Sequence, residues 1–515
     1  MKRRNFLRTS SLSSVPLMLN GLRLGAVPFP MMFSQGPEND RVLVLVQLNG
    51  GNDGLNCVIP VDQYSALSAV RSNILIPEGS VLPIETSLGL HPSMVNLRNL
   101  YTEGKMSIVQ GVGYPNQDRS HFRSTDIWTS GSGANEYLNT GWLGRYFNED
   151  HPEYPEGFPN SEHESPFALT MGGLVSETCQ GPLTNFSLAL NDPFALKPLA
   201  EGETGNFPDN NYGRELRFLI DAIAQTNAYS EVVLSAAESG TNHVDYPTTN
   251  RLATQLKNVA LLISGGLKTK VYIVALGGFD THSAQVDTDP LLGDHADLLG
   301  QLSEAISIFQ QDLLLAGKEE NVLTMTFSEF GRQIRSNDSR GTDHGSAAPL
   351  MLFGPCVKPG VLGENAQIMP DADPQAGVAM QYDFRSVYGT ILKDWLGMNE
   401  TDIKNILNPD VQFLPLIEGC SLFTAIQQEV FTETHFKVYP NPTSSYANME
   451  WLSNGESWTA MLMDKWGHEI KSWKGPKGYA KQVIQTLDLP RIPSGHYYIH
   501  LKQGNQSVTK GVVIN

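Results

Sequence analysis

Three runs along the chain are almost unbroken in apolar residues, and each stops shortly before a carboxylate. Residues 42–48 lead to Asn52-Asp53, residues 271–276 to Asp280-Thr281-His282, and residues 322–327 to Ser328-Glu329. Apolar runs of strand length without polar alternation predict strands buried on both faces, hence a parallel sheet covered by helices. A fourth run, residues 349–353, follows Asp343-His344-Gly345. Open α/β sheets hold ligands beyond the carboxyl ends of their strands. Oxygen and imidazole groups gathered there from several strand ends suit a hard or borderline divalent cation.

Between these runs, apolar residues recur at helical spacing over 94–104, 214–237, 250–263 and 291–315, and residues 106–111 read as a further strand. Strand and helix alternating in this way predict right-handed crossovers and a doubly wound, mostly parallel α/β sheet over residues 38–420. Residues 130–212 are rich in Gly, Pro, Asn and Ser, which predicts a loop-built insertion over the sheet edge. After a linker at 421–434, short alternating strands broken by Gly, Pro and Asn predict a small β-sandwich over 435–515.

The 515 residues and 40% hydrophobic content suit a folded chain of two or more domains. Charge is unevenly placed. Residues 1–34 carry five basic and no acidic side chains, and the chain from His435 onward carries nine basic against five acidic. The middle is therefore more acidic than the whole chain at −18. Such a body disfavours nucleic acid and anionic membrane surfaces as partners. At the start, Lys2-Arg3-Arg4-Asn5-Phe6-Leu7-Arg8 precedes a weakly apolar, Ser-rich stretch, so residues 1–34 resemble a twin-arginine export signal, with an ordinary secretory signal as the alternative. No other segment approaches the roughly 18 apolar residues of a spanning helix, so no integral span is expected in the mature chain. Cys57, Cys179, Cys356 and Cys420 lie far apart without a Cys-x-x-Cys pair, which excludes zinc-ribbon and thioredoxin-like readings and allows either one or two disulfides or free buried cysteines.

Near the far end, residues 436–443 (Phe-Lys-Val-Tyr-Pro-Asn-Pro-Thr), the turn Asp464-Lys465-Trp466-Gly467 and the strand Ser494-Gly495-His496-Tyr497-Tyr498 together resemble the C-terminal sorting domain of type IX secretion substrates. The resemblance implies partnership with that export machinery, passage through the periplasm, and a final place at the cell surface or outside the cell. The other reading of this segment is a carbohydrate-binding sandwich using Trp451, Trp458, Trp466 and Trp473, residues that serve equally as core.

In the middle, Asn49-Gly50-Gly51-Asn52-Asp53, Arg119-Ser120-His121-Phe122, Gly278-Phe279-Asp280-Thr281-His282, Ser328-Glu329-Phe330-Gly331-Arg332 and Gly341-Thr342-Asp343-His344-Gly345 follow in an order that resembles the DUF1501 family. That family is similar to the alkaline phosphatase and sulfatase superfamily. The resemblance implies a metal shell of Asp53, Asp280, His282, Glu329 and His344 around one or two divalent ions, zinc, calcium or manganese. It also places a nucleophilic hydroxyl at Ser120, with Ser124 and Thr125 as rivals and with His121 and Arg123 beside it to orient an oxyanion; Arg332, by its residue type, is expected either to bind substrate or to pair with the acidic body. Where the superfamily has an Asp-His pair, this chain has Glu329-Phe330, and Phe330 cannot replace an imidazole. The sulfatase pattern x-Pro-x-Arg is missing at Cys57, which continues as Val58-Ile59-Pro60. The implied activity is metal-dependent hydrolysis of a phosphate or sulfate ester, of a small molecule or a glycan. The alternative is a non-catalytic cell-surface protein that keeps the fold and binds glycans or a protein partner. His295 is expected on a solvated helix face.

Overall fold

The computed structural model describes residues 40–195, 226–419 and 436–515, apart from 454–456, 465–467, 476–480 and 504–505. The export signal expected at 1–34 and the linker at 421–434 lie outside the described residues.

Among the described residues, nine strands form one large sheet: β1 (Val42–Asn49), β2 (Met106–Gly113), β3 (Ala168–Met171), β4 (Ser187–Leu190), β5 (Val271–Gly277), β6 (Val322–Phe327), β7 (Ala348–Phe353), β8 (Gly360–Leu362) and β9 (Tyr382–Asp383). Their order is β8-β2-β7-β6-β1-β5-β3-β4, with β9 also beside β2. Neighbours run parallel except at β7, which is antiparallel to both β2 and β6. The expected mostly parallel α/β sheet is present. The reversal of β7 matters for the site: its amino end lies at the edge where β1, β5 and β6 end, so the loop before it, carrying His344, reaches that edge.

The continuous apolar runs follow from burial on two sides. In β1, Val42, Val44, Val46 and Leu48 enter one core layer with Leu256, Leu299, Leu302 and Phe309 of helices α2 (Arg251–Ser264) and α3 (Asp294–Leu315). Leu43 and Leu45 enter the other layer, with Ile127 and Trp128 of α1 (His121–Ser130) and with Trp142 and Tyr388. Each such side chain contributes about 1.5–3 kcal/mol by leaving water. Asn250 caps α2 by accepting from the Ala253 N–H at 3.1 Å, and its amide donates to the Gln301 carbonyl at 2.9 Å, which ties the start of α2 to α3.

The expected loop-built insertion at 130–212 needs correction. Its described part contains the helix Trp142–Asp150 and supplies β3 and β4, which extend the sheet beyond β5. Both strands have only four residues, too few for periodicity to stand out among the surrounding Gly, Pro and Asn.

Residues 436–515 form two antiparallel sheets with a core of their own. Strands β10 (Lys437–Tyr439), β11 (Tyr446–Ser453) and β14 (Lys481–Asp488) make one, in the order β10-β11-β14. The other is β13-β12-β15-β16, built from β12 (Trp458–Met463), β13 (Glu469–Gly475), β15 (Gly495–Gln503) and β16 (Gln506–Ile514). Trp451 is buried in this core, donates to Gln503 at 3.2 Å and meets Trp458 edge to face at 5.3 Å; Trp473 packs against the same cluster. These tryptophans are core and not a binding platform, while Trp466 lies outside the described residues. Cys57 and Cys179 are free and buried, and Cys356 is disulfide-bonded.

Candidate metal centre

Four loops meet at the carboxyl edge of the sheet. Gly50, at φ +120°, lets the turn after β1 lie directly against the backbone of Phe279 and Asp280, where a Cβ would collide with both residues. The segment after β5 makes two tight turns, Thr281 N–H to the Phe279 carbonyl at 2.8 Å and His282 N–H to the Asp280 carbonyl at 3.1 Å. His282 and Asp280 thereby face one another, with Nε2 at 3.1 Å from Oδ1. His344 arrives from the loop before β7 and His121 from the first turn of α1. Their Nε2 atoms each lie 3.3 Å from the same Asp280 Oδ1. Ligand atoms of His121, Asp280 and His344 all fall within 4.8 Å of one another, and His282 Nε2 lies 2.9 Å from His344 Nε2.

The other nitrogen of every ring has a fixed acceptor. His121 Nδ1 meets Glu329 Oε1 at 2.8 Å, His282 Nδ1 meets Asp343 Oδ1 at 2.7 Å, and His344 Nδ1 meets the Arg119 carbonyl at 2.7 Å. A carbonyl or an ionised carboxylate only accepts, so these partners assign the proton of each neutral ring to Nδ1. Three bare Nε2 lone pairs then face one carboxylate oxygen, and the donor that reaches that oxygen is Arg332 at 2.8 Å, not an imidazole. His121 Nε2 is buried and makes no hydrogen bond. This donor set fits a divalent cation: imidazole and carboxylate ligands, with each imidazole braced through its far nitrogen, are the recurrent design of zinc-type sites.

Electrostatics agree with that reading. Burial raises the Asp280 carboxyl, but the hydrogen bond and charge of Arg332, then the nearby imidazoles of His344 and His121, outweigh it and bring it to about 2. Burial, aided by the Arg332 charge, lowers His344 against the opposing pull of the Arg119 carbonyl and Asp280, which favours the neutral ring.

The cluster unites Asp280, His282 and His344, three of the expected ligands, and adds His121. Expected beside an oxyanion, His121 instead turns its Nε2 to Asp280 and supplies an imidazole where Phe330 has none. Phe330 packs against the rings of His121 and His344, with centroids at 4.9 and 4.7 Å. Glu329 stands one step back: besides bracing His121 it accepts the Gly50 N–H at 2.9 Å. Asp53 is not brought to the cluster. It is buried, caps the short helix Gly54–Cys57, accepts from Arg71 at 2.9 Å and from Gln285 at 2.6 Å.

The two arginines expected to bind substrate are corrected by their partners. Arg332 is fully buried, and it donates to the carbonyls of Gly51 at 2.7 Å, Thr342 at 2.9 Å and Phe279 at 2.8 Å, to the Gly50 carbonyl, and to Asp280 at 2.8 Å. With its side chain inaccessible and each of its nitrogens bonded, Arg332 fixes the loops and the carboxylate. Arg123 is bound to Asp126 and to the carbonyls of Gly133, Ala134 and Glu136, and lies over the Tyr137 ring. Ser120 is exposed at the start of α1, and its N–H donates to Asp118 at 2.7 Å. His295 is also corrected: it is buried, bonded to Asn52 at 2.9 Å, and lowered to about 4 chiefly by burial. Sequence reasoning missed the bracing by Asp343 and the role of Arg71. The adjacency of Asp343 and His344 was the only signal for the first, and nothing local marked the second.

Comparison with known proteins covers both parts of the chain. No curated protein matches it. Loosely similar solved structures include a protein in the alkaline phosphatase superfamily from Vibrio parahaemolyticus, 10% identical over 87% of this chain and 82% of that one, with TM-score 0.29. A sulfatase from Pseudoalteromonas sp. is 9% identical over 87% and 83%, with TM-score 0.31. A phosphonate monoester hydrolase from Silicibacter pomeroyi is 10% identical over 92% and 88%, with TM-score 0.29. Likeness this loose carries no conclusion about activity. Residues 437–515 match the secretion system C-terminal sorting domain, so the protein is exported to the cell surface or secreted. Among the described residues no helix is long and apolar enough to cross a membrane. Matched over residues 101–396, more than half of its length, the chain belongs to the family "protein of unknown function (DUF1501)".

Proposed function

We propose that the protein is an exported, metal-dependent hydrolase of phosphate or sulfate esters, with its reacting centre in a domain spanning residues 38–420 and a sorting domain at 435–515. The carrying observation is the convergence of three braced imidazoles on one oxygen of Asp280. His121, Asp280, His282 and His344 would hold a single ion. Three nitrogens and one carboxylate favour zinc or manganese over calcium, which takes six to eight oxygens. A bound divalent ion supplies Lewis-acid polarisation and makes a hydroxyl or water a competent nucleophile near neutral pH.

The chain's own groups do the rest. Glu329, Asp343 and the Arg119 carbonyl hold the ring protons on Nδ1, so each Nε2 stays available. Arg332 holds the Asp280 carboxylate in place. Ser120, exposed and next to His121, is the proposed nucleophilic hydroxyl. The amino end of α1 behind it favours an oxyanion.

The test is elemental analysis of the purified full chain together with release of phosphate or sulfate from aryl phosphate mono- and diesters and aryl sulfates. One ion per chain and hydrolysis lost on chelation are expected. Bound metal without turnover of any of these esters would favour the non-catalytic surface role. Glu329→Gln provides a graded check. Weakening the brace on His121 is expected to lower metal affinity about 10- to 100-fold, read by chelator competition. An unchanged affinity would remove Glu329 from the metal site altogether.

A further inference from the structure

A cleft of about 740 Å³ opens beside the metal centre, reaching from His121, Asp280 and Glu329 across the sheet to the loop after β3. Its size lies within the range of roughly 300–1,000 Å³ usual for small-molecule sites. The floor arises from a change of residue type along one sheet face. On β1 that face carries Leu43 and Leu45 in the core, then Gln47 and Asn49. On the adjacent β5 it carries Val271 and Ile273, then Ala275, and on β3 Ala168, then Thr170. Strand register aligns the change, since Leu45 pairs with Ile273 and Gln47 with Ala275. Alternation places these residues on one side, so an apolar layer gives way to amides, a hydroxyl and a methyl group together. Gln47, Asn49 and Thr125 of α1 have no side-chain hydrogen bond among the described residues, which leaves their polar groups open to a ligand.

The walls differ from the floor. Phe122 is 92% exposed on α1, and Leu174, 84% exposed, lies on the facing loop. Large apolar groups left in water on two sides of a polar-floored cleft mark a ligand site. The charged side chains lining it, Glu177, Asp280 and Glu329, are all acidic. A polyanionic chain would meet like charge there.

We propose that this cleft binds an uncharged sugar ring of the substrate, its hydroxyl edge on Gln47, Asn49 and Thr125 and its C–H face on Phe122. The assignment rests on the reading of the adjoining cluster as the reacting centre, and its own test is binding. The full-length, metal-loaded protein is screened against an array of neutral and sulfated oligosaccharides, and calorimetry follows on the best neutral trisaccharide. Neutral sugars are expected to bind. Asn49→Leu and Phe122→Ala are each expected to raise Kd about tenfold, the size of one lost buried hydrogen bond or ring contact, with metal content unchanged. Phe122 is so exposed that its loss leaves the fold intact. Binding of sulfated glycans alone, no binding of neutral ones, or variants that bind as the parent does would each overturn the proposal. Neutral sugar binding without hydrolysis of any ester would leave this subsite standing and remove the hydrolase reading.

Discussion

Replacing Asp280 by alanine is expected to strip the protein of metal and of ester hydrolysis together. Three imidazole nitrogens lie within 3.1–3.3 Å of one oxygen of this carboxylate, and among the described residues no other carboxylate joins the group. Its loss removes a ligand and the negative charge that offsets the cation. The fall in affinity should exceed the roughly 100-fold upper range for loss of a supporting partner. Asp280 is about half exposed but is the carboxylate that pairs with the fully buried Arg332, so some loss of stability is expected beside the loss of metal. Asp280→Asn, which keeps an acceptor for Arg332, should lose metal too and unfold closer to the metal-free parent than Asp280→Ala does. Full metal content in Asp280→Ala would show that the cluster is not the metal holder. Hydrolysis surviving metal loss would detach the chemistry from it.

Arg71→Met is expected to cost about 3–5 kcal/mol of stability, the usual result of leaving one member of a buried ion pair without the other. Arg71 and Asp53 are both almost wholly inaccessible. Arg71 also donates to the carbonyls of Ile334 at 2.9 Å and Gln333 at 2.8 Å, which would lose their partner. Burial by itself raises the Asp53 carboxyl, yet Arg71, His295 and Gln285 together bring it below its ordinary value. A carboxyl depressed in the folded state adds stability above its unfolded pKa, about 3.9, and that contribution is lost as pH falls through the folded value. Without Arg71 the buried charge is uncompensated, so the difference from the parent should be largest near neutral pH and shrink towards pH 4. Urea unfolding across that range measures it. The opposite pattern, unchanged stability with metal lost, would return Asp53 to the metal shell that the family resemblance implies.

These two carboxylates end similar strands and have different fates because of what the fold places next to each. Asp53 starts a helix and is met by a guanidinium from the following helix. Asp280 sits in a tight turn open to solvent and is met by an imidazole of its own turn and by two others, from α1 and from the loop before β7. A buried, paired carboxylate is a structural element, whereas a half-exposed one ringed by unprotonated nitrogens is suited to a cation.

What the sequence determined by itself is the set of buried strands and the edge at which they end. Apolar runs such as residues 42–48 have one physical outcome, burial on both faces, and the carboxylates after them must lie at the carboxyl edge of a parallel sheet. The sandwich at 436–515 was equally legible, because alternation and turn residues are local properties. The tertiary structure alone decided which groups share an oxygen. His121, His282 and His344 are up to 223 residues apart in the numbering, and no local spacing reports that their Nε2 atoms converge. It also decided that Arg332 and Arg123 are consumed by backbone carbonyls, since hydrogen-bond satisfaction depends on what else is buried nearby. The gap left by Phe330 could be filled only from outside its own strand end. The fold fills it with His121, held in place by Glu329, the residue the pattern had put forward as the ligand.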